Sequence, residues 1–478
     1  MGTAIPKLDV AGSNPVTRFA GLRTSYKRRE SRIATVARRL GGHCGRSPPM
    51  RSVACSRLLF SVVLAFLPIG CAGSGAPPSP ELKASIVRRI GARLDAKALA
   101  LDTDWRLWET HVETHRAAID AAATQDDLAD ALDAALAEFG VSHLSVLTPR
   151  DITLRKRGLR GGLGLKTVAV DDGRLVTSVL PESAALAAGL RTGDVVISAR
   201  NDLARANFES GIIGETVSIE WQRENDTFEA DLVFGSARRA AAPTLRWIDE
   251  DIAWITVPSF SSAVYKSRAI DALFREVAGA RALVVDVRSN GGGRLSNVEH
   301  LLGRVVEPGT RLFGEIFREQ YDIFLRYVGR EPASITELLR TTGQTVRSPH
   351  DVTDPYLGPL AIIADGRSGS GGDLVPATIQ SLGRGVVVGT PTMGKVLIGD
   401  EKKLPGGYVL FYPRAEIVRI DGRRMEANPI QPDILLSPQE TVDDETLGRV
   451  LRGHFSRLTS GLIESNTLRV CTSRMLSP

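Results

Sequence analysis

Two short apolar runs, Pro359-Leu-Ala-Ile-Ile-Ala364 and Gly385-Val-Val-Val-Gly389, flank the glycine-rich stretch Ser368-Gly-Ser-Gly-Gly-Asp373. Runs this short and this apolar read as buried strands, and the glycines before a helical pattern mark a strand-to-helix turn. Ser370 falls at that turn, and Lys395, in Thr392-Met-Gly-Lys395, follows it by 25 positions at the end of the next strand. A serine hydroxyl is inert at its own pKa and needs a base beside it. A lysine serves only if desolvation depresses its pKa of about 10.4 toward neutrality. The same residues have a purely structural reading, because Ser370 with Asp373 forms a capping box that starts a helix whatever chemistry follows. The local residues leave both readings open.

Three further segments bear on the choice. Ala282-Leu-Val-Val-Asp-Val-Arg-Ser-Asn-Gly-Gly-Gly293 precedes the Ser370 segment, and the Thr392 to Lys395 turn and Pro429-Ile-Gln-Pro-Asp-Ile434 follow it. In that order and spacing they resemble the C-terminal processing (tail-specific) serine peptidases, over roughly residues 81 to 440. The resemblance implies an α/β protease core of ClpP/crotonase-like strand-helix layers, with an N-terminal helical segment and a small β-rich PDZ-like domain. It makes Ser370 the nucleophile and Lys395 the general base. It also implies an oxyanion hole from the backbone N–H of Gly371 and of Gly292, with Gly291 or Gly293 as alternatives. Pre-aimed donors of this kind are typically worth about 3 kcal/mol each. Asp286 and Arg288 read as a structural pair beneath the glycine loop. No Gly-Lys-Ser/Thr follows the triplet, which argues against a phosphate loop.

A histidine competes with Lys395. Phe139-Gly-Val-Ser142-His143 resembles the Gly-Asp-Ser-His-Thr segment of the related tricorn-type proteases, where Ser and His join the nucleophile and a glutamate in a tetrad. Glu426 lies about where that glutamate falls. Histidine titrates near neutrality without much tuning, whereas lysine must be buried. Gly399 and Ser381 stand where several processing peptidases carry a glutamine and an aspartate that support the lysine. The alternative for His143 is a satisfied histidine at a domain junction. The reading carried forward keeps Lys395 as base and His143 as its rival.

Met50 to Cys71 reads as a secretory signal, with a basic start and an apolar stretch from Leu58 to Leu67 too short to span a bilayer. Gly70-Cys71 resembles a bacterial lipoprotein site with Cys71 as the lipidated residue; the alternative is ordinary cleavage near Ala72 to Ser74. The Pro- and Ser-rich stretch 72–80 is a flexible tether. Residues 1–49 are arginine-rich without apolar periodicity, and read as a mis-called extension before a start at Met50, or as a disordered tail. Through Gly70 the chain has 12 Lys/Arg against two acidic residues, which leaves 48 basic and 53 acidic in the remainder. The mature part is mildly acidic, so the overall charge of +5 is no sign of nucleic-acid binding. Cys71 and Cys471 are the only cysteines after the leader's Cys44 and Cys55, so no disulfide framework follows.

Ile86, Ile90 and Leu94, then Trp105 and Trp108, then Leu128, Leu132 and Leu136 recur at helical spacing, which makes 81–150 a helical region with Trp105 and Trp108 as core anchors. Residues 151–240 resemble an inserted PDZ domain, from Gly161-Gly-Leu-Gly-Leu165 and Ala188-Gly-Leu-Arg-Thr-Gly-Asp194. Such a domain binds a peptide end by β-augmentation, with Leu163, Gly164 and Leu165 as the carboxylate-holding loop. Little room remains between Ser198 and Gly214 for the helix that walls the peptide groove. Trp254-Ile-Thr-Val257 and Ala282 to Asp286 read as buried strands, with a helix over Ala269 to Ala278 between them, which argues an α/β core over 241–440. Residues 441–478 form a helical start, Leu447 to Phe455, and a tail. Leu295 to Leu357 carries no readable motif.

The sequence therefore predicts an extracytoplasmic serine endopeptidase of the bacterial periplasm or cell envelope, lipid-anchored and acting on unfolded or C-terminally recognised proteins. No cofactor and no metal are expected, since the histidines are scattered. Expected partners are protein or peptide substrates and the membrane through Cys71, with an adaptor or homo-oligomer allowed. Two rivals remain, a non-catalytic peptide- or ligand-binding protein of the same fold and a PDZ-like scaffold with a vestigial core.

Overall fold

The computed structural model describes residues 77–157, 159–200, 208–236 and 242–457. The leader, Cys71 and the tail beyond 457 lie outside the described residues, as does 201–207, where a second helix of the PDZ-like region was in question.

The apolar runs become one six-stranded sheet in the order Thr244–Ile248, Ile252–Thr256, Ala282–Asp286, Leu360–Ala364, Val386–Gly389, Ile434–Leu435. Only the first pair is antiparallel; the rest run parallel. Every residue of Ala282–Asp286 and Leu360–Ala364 is buried, as expected of parallel strands covered on both faces. On one face pack the helices Ser267–Glu276, Leu295–Gly303 and Gly371–Ser381, through Ile270, Phe274, Val298, Leu301 and Leu374. On the other, a helix at 444–457 lays Leu447, Leu451 and Phe455 against Trp254, Val284 and Ile363. The expected helical start of the tail is thus part of the core.

A second sheet is built around one long strand. Its long central strand, Val409–Arg419, has nine of its eleven residues buried and pairs antiparallel with Ser145–Leu147, Arg311–Phe317 and Leu397–Lys403. The pairing Ser145↔Phe411, Val146↔Leu410 binds the end of the N-terminal helical region to this second sheet. That region comprises Pro80–Lys97, Trp108–Thr114, Arg116–Ala121 and Gln125–Ala137. Ser79 and Thr124 cap two of these helices, the second with a full capping box to Asp127. Ile86, Ile90, Trp105, Trp108, Leu128 and Leu132 form its core together with Leu410 and Tyr412 of the long strand. The motif-free stretch 295–357 contains three helices and two strands, Arg311–Phe317 and Gln344–Arg347, that extend this sheet.

Residues 165–233 make a separate five-stranded antiparallel sheet, Leu165–Val170, Gly173–Val179, Val195–Arg200, Thr216–Arg223, Asp226–Val233, around Leu163, Val176, Val196, Ile219, Trp221 and Phe234. Its one described helix, Ala184–Ala187, is a single turn. Among the described residues no helix is long and apolar enough to cross a membrane.

Candidate active site

The position of Ser370 is built by interlocked turns. Leu360–Ala364 ends at Asp365, and the chain turns through 366–370 into the helix Gly371–Ser381. Ser370 sits at the helix N-cap with φ 53° and ψ −114°. A non-glycine residue held there costs on the order of 1–3 kcal/mol, a strain tolerated where the surroundings impose it. Its side chain makes no capping bond, so the capping-box reading of Ser370 with Asp373 does not hold. The hydroxyl is left to the cavity.

Asp373 does something else. Its buried carboxylate accepts from the amides of Gly394 at 2.9 Å and Lys395 at 3.2 Å, tying the helix to the Thr392–Lys395 turn. Burial pushes this carboxyl up from the ordinary range, against the hydrogen bonds that hold it ionised. The turn answers through its backbone, since the Ser370 amide donates to the Lys395 carbonyl at 3.0 Å. Lys395 thus fixes Ser370 by its main chain. Its side chain is exposed, and among the described residues no group bonds or pairs with its ammonium.

The glycine loop 291–293 lies against Ser370. Gly292 has φ +94°, and a Cβ there would stand 2.7 Å from the Ser370 Cβ and 2.8 Å from the Gly371 nitrogen, so only glycine fits. The Gly292 amide, however, already donates to Asn290 Oδ1 at 2.8 Å. Asn290 is fully buried and its amide group donates in turn to the Val257 carbonyl at 2.8 Å. Gly291 lines the cavity beside Ser370, and Gly371 starts the helix where N–H groups lack intrahelical partners. Below the loop, the Arg288 guanidinium bonds both oxygens of buried Asp286, the structural pair expected there.

His143 reaches the same place from the other sheet. It lies just before Ser145–Leu147, whose pairing with Val409–Arg419 sets its position, and its ring stands 5.7 Å from that of Phe411. Ser142 Oγ lies 2.6 Å from His143 Nδ1 and donates to Glu426 Oε2 at 3.0 Å. Glu426 is 2 % exposed and also accepts from the Ser142 amide at 2.7 Å and the Val396 amide at 2.9 Å. Because the Ser142 hydroxyl spends its proton on Glu426, it can only accept from the ring. Nδ1 therefore carries the hydrogen and Nε2 keeps its lone pair. Burial holds the His143 pKa below its usual 6.5; the Glu426 charge opposes this and the Lys395 charge adds to it.

Val141, Ser142, His143, Leu144, Gly291, Gly369, Ser370, Met393, Lys395 and Phe411 line one open cavity of about 380 Å³. It gathers Ser370, Lys395 and His143 from three distant segments. Leu163, Gly164 and Leu165 are elsewhere. Leu163 and Leu165 are buried in the five-stranded sheet's own core, and the Leu163 amide donates to the Glu209 carbonyl at 3.3 Å. Two positions on from Leu165, the buried Thr167 is also taken: its amide donates to Glu209 Oε1 at 2.9 Å and its carbonyl accepts from Arg367 Nη1 at 2.6 Å. Arg367 and Glu209 close a bidentate ion pair, at 2.9 and 2.8 Å, between this sheet and the loop that carries Ser370. The Thr167 backbone on that edge is therefore not free to pair with a peptide. The sequence reading also missed Asn290 and the carboxylate role of Asp373, for which no local pattern gives a sign. Among the described residues no three His, Cys, Asp or Glu side chains converge as a metal site.

Comparison with known proteins agrees with this architecture. The chain is 26% identical over 375 residues to "Tricorn protease homolog 1" of Streptomyces coelicolor, a match covering 70% of this chain and 31% of that protein. It is 20% identical over 318 residues to "Probable CtpA-like serine protease" of Staphylococcus aureus, covering 64% of this chain and 59% of the relative. The matches thus span less than two thirds of the length of these curated relatives. The solved structure of the photosystem II D1 C-terminal processing protease superposes with a TM-score of 0.55 at 17% identity, over 77% of this chain and 97% of the other, and so shares the fold. Residues 251–436, which contain the glycine loop, the Ser370 elbow, Lys395 and Glu426, match the family model described as peptidase family S41.

Proposed function

We propose that this chain is a serine endopeptidase in which His143, rather than Lys395, is the general base. The observation that carries the reading is the relay Glu426–Ser142–His143, which leaves Nε2 as an acceptor in the cavity that holds Ser370. A base must be unprotonated at working pH, and burial favours that state for His143. Lys395, by contrast, is exposed and makes no bond to the relay among the described residues.

In the proposed reaction Ser370 Oγ attacks the scissile carbonyl while His143 Nε2 takes its proton. The imidazolium is stabilised through Ser142 by the Glu426 charge. The oxyanion faces the amide of Gly371 at the helix N-terminus, where the helix dipole favours negative charge. A second donor comes from the glycine loop. With the Gly292 amide committed to Asn290, the free amide of Gly291 is the better candidate in this conformation. His143 then protonates the leaving amine, and water hydrolyses the acyl-enzyme by the same route in reverse.

Substrates are read as unfolded or C-terminally presented polypeptides outside the cytoplasm, supported by the signal-like segment before Cys71 and by the PDZ-like sequence of residues 151–240. The test is cleavage of an unfolded protein such as casein by the 72–478 chain and by Ser370→Ala, His143→Ala and Lys395→Ala. The proposal requires loss with Ser370→Ala and His143→Ala and residual turnover with Lys395→Ala. Loss with Lys395→Ala and survival of His143→Ala would establish a Ser-Lys dyad instead. A folded chain that cuts nothing would favour a binding protein of this fold.

A further inference from the structure

If His143 is the base, Lys395 is left without a catalytic task, and its placement calls for one. Its main chain is fixed by the Asp373 carboxylate and by the bond from the Ser370 amide, so the side chain starts from a rigid point next to the nucleophile. The ammonium has no partner among the described residues. Among the described residues it is also the only formally charged side chain lining the cavity. Glu426 is turned away behind Ser142, His143 is kept neutral by burial, and Val141, Leu144, Met393 and Phe411 supply apolar walls. The cavity therefore offers one unbalanced positive charge at its mouth.

That charge is unfavourable for the chemistry as long as it is unbalanced. The positive charge of Lys395 disfavours protonation of His143, and His143 must become positively charged when it takes the Ser370 proton. A negative group brought by the substrate beside Lys395 would remove this penalty at the moment it matters. It would also gain a charge-assisted hydrogen bond in a cavity that the substrate itself closes to water.

We propose that Lys395 forms a carboxylate-binding subsite, through which the enzyme selects polypeptides that present a carboxylate next to the scissile bond. The subsite deepens the reading of His143 as base and rests on it. The carboxylate has two sources, an Asp or Glu side chain flanking an internal cleavage site, or the α-carboxylate of the chain end when cleavage is near the C-terminus. Both present the same planar anion to the ammonium. In either case neutralisation raises turnover as well as affinity, which a residue used only for docking would not do.

The test separates binding from chemistry. Fluorescent peptides are prepared in two matched pairs, Glu against Gln beside one internal site, and a free against an amidated C-terminus. Their affinities are measured by anisotropy with the Ser370→Ala protein, which cannot turn them over, and with Ser370→Ala/Lys395→Met. The expected result is a preference of roughly tenfold for the acidic member of one pair, which identifies the source, falling to within about twofold without Lys395. Ser370→Ala/Lys395→Arg should retain most of it. Equal or undetectable binding of both members of both pairs would overturn the proposal, as would a preference that persists in Lys395→Met. Because this assay involves no proton transfer, it can fail while His143 remains the base. Hydrolysis by Lys395→Met reduced to the level of Ser370→Ala would instead remove the His143 reading on which the subsite rests.

Discussion

Replacing Ser142 with alanine deletes one oxygen and cuts the relay at its centre. Two hydrogen bonds go, the 2.6 Å contact with His143 Nδ1 and the 3.0 Å bond to Glu426. Glu426 keeps the amides of Ser142 and Val396, so it is not left as an unsatisfied buried charge. The stability cost should therefore be about 1 kcal/mol or less, the net worth of an ordinary hydrogen bond. Turnover should suffer more. In the transition state the ring is cationic, and a hydrogen bond linking it to a carboxylate is worth about 1.5–3 kcal/mol. At about 1.4 kcal/mol per factor of ten, kcat should fall roughly 10- to 150-fold while KM changes little. The assay is steady-state hydrolysis of a quenched fluorescent peptide, with urea unfolding run in parallel. A kcat within threefold of wild type would mean that the relay does not serve catalysis. So would a loss of activity matched by a loss of several kcal/mol in stability, because then the serine would be holding the fold.

Other expectations follow from the same geometry. The acid limb of kcat/KM should lie below pH 6.5, where burial places His143; Lys395→Met should move it up and Glu426→Gln down, and parallel or absent shifts in pH–rate profiles would contradict the placement of these charges. Asp133, which accepts from the Val146 amide, is pushed up to about 6 by burial. The folded state thus holds its proton more tightly than the unfolded state, and stability from this group is lost as pH rises from about 4 through 6. Asp133→Asn should then be more stable than wild type by roughly 1–3 kcal/mol at pH 8 and indistinguishable at pH 4, read by urea midpoints; an advantage of equal size at both would refute the assignment. Gly292→Ala should cost about 1–3 kcal/mol from its left-handed backbone alone, and more than 100-fold in kcat if the loop must lie against Ser370; retention of both would show that the loop yields.

The sequence disclosed the parts of this molecule that depend on local pattern. Leu360–Ala364 and Ala282–Asp286 are uniformly apolar because both faces are covered, and the glycines after them could only be turns. Ile86, Ile90 and Leu94, and likewise Leu447, Leu451 and Phe455, announced helices by their spacing and are buried as that spacing requires. The surroundings of His143 were harder to read because they depend on a contact across 284 positions, Ser142 to Glu426, and on the pairing of Ser145–Leu147 with Val409–Arg419. Neither leaves a trace in local periodicity. Lys395 was legible as a residue next to the nucleophile, but its motif cannot say whether the side chain or the main chain acts. In the structure the carbonyl holds the Ser370 amide while the amine stands unengaged in the cavity. The glycine run at 161–164 was likewise visible, whereas the engagement of Thr167 by Glu209 and Arg367 follows from a tertiary ion pair.

The most direct test of His143 as the base is chemical rescue of acylation. Single-turnover acylation of Ser370 by a chromogenic peptide ester would be followed in wild type, His143→Ala and Lys395→Ala, with and without added imidazole. If His143 takes the Ser370 proton, its loss should slow acylation by about 10²–10⁴-fold, imidazole should restore part of the rate in proportion to its unprotonated fraction, and Lys395→Ala should show no such rescue. Acylation by His143→Ala at near the wild-type rate, with loss in Lys395→Ala that added alkylamines restore, would contradict the account and return the proton to the lysine.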